Sequence, residues 1–283
     1  MSALSRTRIG VIGAGNMGQA LIKGLLHAGL PVTRLLVVEQ HPETRRSVEN
    51  RYHVVSVTLE VLAKRCPVII LAVKPQDAKT VLLALRQAVA AKASAKPLLI
   101  SIAAGLPTRA LERVLGHRPV IRVMPNLPAT VGCAMSAITP GRWATSRHRA
   151  IARAIFASVG DIVELPERLF DVVTAISGSG PAYFFLFFQA LRDAGVQGGM
   201  PKAVAQQLAV QTALGSVKLV AETSEELDTL IDRVASKRGT TEAALRTFRQ
   251  RHLTKTIQAG VVAAAKRSKE LTALLSQEAG KRE

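Results

Sequence analysis

Residues 8–21 read RIGVIGAGNMGQAL, and the fold turns on this stretch. Arg8 to Ile12 is a short apolar run of the kind that forms a strand. The glycines follow as Gly13-x-Gly15-x-x-Gly18. Met17, Leu21, Leu25 and Ala28 then recur at helical spacing. Gly29 and Pro31 stop the helix, as a left-handed cap and a breaker do. A lone G-x-G-x-x-G is a weak signal and can be a structural turn. Here it follows a strand, opens a helix and lies near the start of the chain, which suits a dinucleotide pyrophosphate. Gly13 permits the tight turn, Gly15 lets the backbone approach the phosphates, and Gly18 allows close packing of helix on strand. Ala14, Asn16 and Met17 share this loop and first turn, whose free N–H groups and positive dipole end attract an anion.

Outward from this loop, strand and helix signals alternate. Strands are expected at 35–39, 54–57, 68–73, 97–102 and 120–123, with weaker ones at 135–139 and 162–165. Helices are expected at 58–65, 76–92 and 107–115. Val68 to Val73 is continuously apolar, as a strand covered on both faces is. The pattern predicts an α/β Rossmann-type domain with a mostly parallel, doubly wound sheet. After Pro166 the strand signals end and helical periodicity takes over, at about 167–176, 181–195, 201–222, 225–235, 241–250 and 253–275. We therefore expect two domains: residues 1–165 for dinucleotide binding, and an all-α domain, 166–283, for substrate and dimerisation.

The 283 residues are 48% hydrophobic, which is a globular composition. The longest apolar run, Ala182 to Phe188, falls far short of the roughly 18 residues of a membrane span. Met1 to Arg8 lacks the apolar core of a signal peptide. The two cysteines, Cys66 and Cys133, make neither a disulfide framework nor a metal-ligand cluster. A cytoplasmic protein without a metal site is expected. The net charge is +18, which raises nucleic-acid binding. However, the basic residues spread from Arg6 to Arg282, in modest clusters such as Arg142/Arg147/Arg149/Arg153. The ten aromatics hardly enter those clusters, so base stacking has little to work with. A solvated basic surface is the favoured reading.

Glu39 ends the second strand and can accept hydrogen bonds from a ribose with a free 2′-hydroxyl. Arg45 and Arg46 lie nearby in sequence, where they can neutralise a 2′-phosphate or face water. The cofactor is read as NADPH or NADH, with a slight lean to NADH. Ala72, Val73, Lys74 and Pro75 leave another strand end, with Lys74 as an anion contact and Pro75 as a stiffener. Ala103 and Ala104 leave room for a flat ring or a ribose. Two prolines surround Asn126 in VMPNLPA (Val123–Ala129), a rigid turn able to aim Asn126 at the nicotinamide end.

The most specific piece is AISGSGPAYFFLFFQALRDAGVQGGMPKAVAQQLAVQTALGS, beginning at Ala175. With GVIGAGNMGQAL, AVKPQD, RVMPNLPA and RGTTEAALRTF it resembles the pyrroline-5-carboxylate reductase family, in the family's order and over nearly the whole chain. The resemblance implies reduction of 1-pyrroline-5-carboxylate to L-proline by NAD(P)H. It also implies a homodimer built by intertwined helical domains; the number of dimers in a larger homo-oligomer is left open. It points to Thr241 as the hydroxyl nearest the substrate ring, with Gly239 and Thr240 as backbone donors and Ser177 and Ser236 as neighbours. Helix N-termini after Gly180-Pro181 and around Thr240-Thr241 suit a carboxylate. The chain departs from the family at Lys237 and Arg238, where proline and glycine are usual, at Leu127 for threonine and at Gln189 for glutamate. Glycine at position 238 would serve a positive φ. The alternatives are a reductase of a related cyclic imine and a non-catalytic Rossmann protein that binds dinucleotide or nucleic acid.

Overall fold

The structure, a computed structural model, describes residues 7–90 and 96–280, with side chains to Leu275. Expectations that fall on Met1–Arg6, on positions 91–92 of the helix expected at 76–92, and on Arg282 lie outside the described residues. Eight strands form one sheet: β1 Ile9–Ile12, β2 Leu35–Val38, β3 Val55–Ser56, β4 Val68–Leu71, β5 Leu98–Ser101, β6 Val120–Met124, β7 Ala134–Pro140 and β8 Gly160–Glu164. Their order is β3-β2-β1-β4-β5-β6-β7-β8. Neighbours run parallel except β6 and β7, which pair antiparallel with Val123 opposite Ile138. The chain thus starts in the middle of the sheet, moves to one edge through β2 and β3, and returns past β1 to continue the other way.

The continuous apolar runs are explained by two cores. Ile9, Val11, Val68, Ile70, Leu98 and Ile100 face one of them. Ile12, Ile69, Leu71 and Leu99 face the other. Side chains alternate along a strand, so both faces must be covered. The covering helices are α1 Asn16–His27, α2 Pro42–Tyr52, α3 Leu59–Arg65, α4 Pro75–Ala90, α5 Thr108–Leu115 and α6 Ser146–Phe156. Thr58 caps α3 as expected, its hydroxyl accepting from the Val61 N–H at 3.4 Å. The sequence reading contains neither α2 nor α6. Helix α2 buries only Val48, and α6 opens on Ser146, Arg147, His148 and Arg149, so neither shows a full apolar stripe.

The helices that follow are α7 Phe170–Val173, α8 Gly180–Gln197, α9 Lys202–Glu222, α10 Leu227–Val234, α11 Thr240–Gln250 and α12 Leu253–Gly280. By contacts the chain divides elsewhere than at 165. Among the described residues, those up to Gly178 and those from Ala264 on form one unit, and Ser179–Ala263 form the second. The reason lies in polar and aromatic anchors. Phe170 is buried beneath the Arg122 guanidinium, 4.7 Å from its ring centre. Glu167 accepts from Arg122 at 3.2 Å and from the Thr108 N–H and hydroxyl at 2.7 Å each. Asp171 accepts from Ser268 at 2.7 Å. Burial lowers the Arg122 guanidinium from its ordinary value, and Glu167 and Asp171 act against that fall.

The second unit has almost no interior of its own. Of residues 179–263 only Gly180, Ala205 and Ala209 are buried. Helices α8 and α9 pack together closely enough that a Cβ on Gly195 would lie 2.9 Å from that of Ala205. Phe184, Phe185, Leu186, Leu214 and Val217 stay more than half exposed. Within the helical stretch Glu167–Gln197, an 18-residue window is long and apolar enough to cross a membrane by length and composition. The longest unbroken apolar run inside it is still Ala182–Phe188, as expected. The interruptions in the apolar run are mostly small, mildly polar residues (Ser177, Gly178, Ser179, Gly180), which break the run but hardly lower its average.

Candidate active site

The carboxyl ends of β1, β2 and β4 lie together because β1 sits between the other two. Ligands of doubly wound sheets bind at this reversal of strand order. A cavity of about 380 Å³ opens there. Of the residues singled out from sequence, Gly13, Gly15, Glu39, Ala72, Val73 and Lys74 line it. Ala14, Asn16, Met17 and Gly18 belong to the same loop and the first turn of α1, and Pro75 opens α4, without lining the cavity. Ala103, Ala104 and Asn126 follow β5 and β6, outside it. The sequence reading missed His41, Thr44, Leu59, Asp77, Thr80 and Val81, which complete much of the wall. They sit in the helices after β2, β3 and β4 or just before them, beyond the strand ends to which the motif points.

The three glycines separate by cause. Gly13 has φ 91°, and a Cβ there would come within 2.7 Å of the Ala72 carbonyl oxygen. A Cβ on Gly18 would come within 2.1 Å of the Gly13 carbonyl oxygen. The protein's own packing therefore demands glycine at both. A Cβ on Gly15 would meet nothing within 4 Å. Internal packing does not require that glycine, and the space it leaves open lies over the N-terminus of α1. No acidic residue stands in the first turn of α1, so its unpartnered N–H groups and dipole face outward unneutralised. This cradle fits a pyrophosphate. Beside it, the half-buried Glu39 accepts from the Ala14 N–H at 2.7 Å and from the His41 N–H at 2.9 Å.

Asn126 is anchored through both ends of its amide. Its amide nitrogen donates to the Ser177 carbonyl and hydroxyl oxygens at 3.2 Å each, and its oxygen accepts from the Met135 N–H at 3.0 Å. Its nitrogen thus fixes Ser177, and its oxygen holds β7 at Met135. Ser177 lies in a π-helical turn, Thr174–Gly178, that carries on from the helix expected at about 167–176. Such turns recur at functional sites.

The chain matches two family models. One, described as pyrroline-5-carboxylate reductase dimerisation, covers residues 167–271. The other, described as NADP oxidoreductase coenzyme F420-dependent, covers residues 8–105. A pyrroline-5-carboxylate reductase of Arabidopsis thaliana is 40% identical over 94% of this chain and 95% of its own. One from Pseudomonas aeruginosa is 38% identical over 97% of this chain and 100% of its own.

The chain belongs to the pyrroline-5-carboxylate reductase family.

Solved structures agree. The Plasmodium falciparum enzyme with NADP bound superposes with a TM-score of 0.84 at 31% identity, covering 95% of this chain and 99% of that one. The Coxiella burnetii enzyme gives 0.86 at 30% identity, covering 94% and 98%. The dimerisation match runs through the apolar helix Glu167–Gln197.

Within the second unit, the loop before α11 carries the residues that the family resemblance assigns to substrate. Gly239 is the N-cap of α11, with its N–H donated to the Ser236 carbonyl at 2.9 Å. A Cβ at Gly239 would strike the Ser236 hydroxyl, 2.4 Å away. Thr240 and Thr241 form the first turn, so their N–H groups have no partner within the helix. Arg238 adopts φ 59°, so the left-handed backbone that suits glycine is kept with an arginine in place. Its N–H is donated to the Glu242 carboxylate. Lys237 and Arg238 are both exposed.

Proposed function

We propose that the protein works as a homodimer that reduces 1-pyrroline-5-carboxylate to L-proline, drawing the hydride from NADPH or NADH. The observation that carries this is family membership along the whole chain, joined to a glycine cradle whose middle glycine leaves space that packing does not need. A reduced nicotinamide dinucleotide held there would supply the hydride for the imine carbon, with a proton on nitrogen completing the amine. The chain's own residues bind and orient. The N–H groups at the start of α1 hold the pyrophosphate, with Gly15 giving it room, while Glu39 takes the ribose hydroxyls. We assign the carboxylate of the substrate to the N-terminus of α11, where Thr240 and Thr241 offer N–H groups and Thr241 its hydroxyl; the Gly239 N–H, expected as a further donor, is taken up by the Ser236 carbonyl and closes the turn instead. Ser236 shapes that loop, and Ser177 is kept in position by Asn126. No histidine or carboxylate is given the role of general acid, since an imine can take its proton from water.

We place the protein in the cytoplasm, where the unpaired thiols Cys66 and Cys133 suit a reducing compartment. Its partners are the small-molecule substrate and a second copy. Basic side chains scattered over both units favour a solvated surface over a nucleic-acid groove. The deciding experiment follows oxidation of reduced nicotinamide by the purified protein with 1-pyrroline-5-carboxylate. Steady turnover with product proline supports the reading. A folded protein that binds dinucleotide but leaves this imine unreduced would overturn the substrate assignment and direct attention to other cyclic imines.

A further inference from the structure

The cavity at the β2 end carries a charge arrangement that separates the two nicotinamide cofactors. Two backbone N–H groups, from Ala14 and His41, hold the two Glu39 oxygens at 2.7 and 2.9 Å. They fix the carboxylate in one orientation on the cavity wall. An ionised carboxylate has about four acceptor sites and no donor, so two sites remain. A ribose with free 2′- and 3′-hydroxyls brings two donors and satisfies them. A 2′-phosphate brings only acceptors, together with a charge of about −1.5 to −2 at neutral pH.

A cavity that took the phosphate would set a cation against it. Arg45 and Arg46 are exposed on α2 and do not line this wall. Lys74 does line it, but from beyond β4. Strand β1 lies between β2 and β4, which puts their ends about 10 Å apart, two strand spacings. Beside Glu39 the wall carries Gln40, His41 and Thr44, none of them a lysine or arginine.

We propose that this chain selects NADH over NADPH, and that Glu39 is the residue that discriminates. The proposal rests on reading the cradle as a dinucleotide site, but not on the identity of the imine.

The test measures binding of NAD⁺ and NADP⁺ separately to the full-length protein by equilibrium dialysis, with kcat/KM for NADH and NADPH beside it. The wild-type protein should favour the non-phosphorylated form by about tenfold or more, a difference of about 1.4 kcal/mol. In Glu39→Gln the negative charge goes while the size stays, and the ratio should fall severalfold, chiefly through tighter NADP⁺ binding. Equal or tighter wild-type binding of NADP⁺ overturns the proposal, and so does a ratio that Glu39→Gln leaves unchanged. If the expected binding ratio appears without turnover of the imine, the selectivity stands and the substrate reading falls.

Discussion

The contrast between Gly15 and Gly18 allows the cofactor cradle to be tested apart from the fold. Consider alanine at each position. Gly15 has φ −66° and ψ −171°, an extended conformation open to alanine, and its Cβ would meet nothing within 4 Å. Loss of chain entropy in the unfolded state favours alanine by about 0.4–1 kcal/mol. The preference for glycine over alanine at an N-cap opposes that by a similar amount. Gly15→Ala should therefore leave stability within about 0.5 kcal/mol of wild type, or about 2 °C in Tm for a domain of this size. Gly18 is different. Its Cβ would lie 2.1 Å from the Gly13 carbonyl oxygen, so helix or loop must shift by about 1 Å, an overpacking cost of about 1–3 kcal/mol. Helix propensity returns up to about 1 kcal/mol of this. The net loss spans about 0–3 kcal/mol, and its centre of about 1–2 kcal/mol lowers Tm by about 2–8 °C.

Dinucleotide affinity should follow the opposite order of specificity. The Gly15 methyl group fills the space reserved for the phosphates, so Kd should rise by at least about tenfold with the fold intact. The assay pairs thermal unfolding without cofactor, at one fixed protomer concentration because a dimer's stability depends on it, with titration of reduced nicotinamide fluorescence. If Gly15→Ala binds dinucleotide like wild type, the open space is not where the phosphates lie. If it unfolds as early as Gly18→Ala, the space is not free in the folded chain. Either result refutes the reasoning.

Glu167→Ala should destabilise the protein by up to about 3–5 kcal/mol, because Arg122, only 4% exposed, would keep a buried charge with Asp171 alone to offset it. Urea unfolding of the single variant and of Glu167→Ala/Arg122→Met should show the double variant regaining much of the loss, and a single-variant loss below about 1 kcal/mol contradicts the account. Burial pushes the Cys66 thiol up to about 11, whereas Cys133 is exposed. Iodoacetamide at neutral to mildly alkaline pH should therefore label Cys133 on the native protein and Cys66 only after unfolding, read by peptide mass spectrometry; early labelling of Cys66 would show that its surroundings open. Thr241→Ala should lower kcat strongly while leaving dinucleotide Kd unchanged, and an unaltered kcat would remove Thr241 from the substrate site.

What could be read in the sequence follows from which signals are local. Strands such as Val68–Leu71 were legible because burial on both faces writes a continuous apolar run. The glycine loop was legible because backbone geometry writes itself into adjacent positions. Contacts over long separations leave no such trace. Asn126 reaches Ser177 across 51 residues, and Glu167 reaches Thr108 across 59 and Arg122 across 45. These side chains are polar, so they carry no periodicity, and their partners are chosen by the folded chain. The same distinction explains the boundary. Composition changes near 165 because strands stop there, and the dimerisation match begins at 167. Packing changes only after Gly178, because Phe170 and Glu167 are anchored to Arg122 of β6. A change of secondary structure and a change of packing partner are separate events, and only the first is written locally. The helical segment 167–178 sits between them: its family match lies with the dimerising helices, while its anchors are those of the sheet. The π-helical turn falls in this segment. With Asn126 it fixes Ser177 to the sheet immediately before the apolar helix α8 begins.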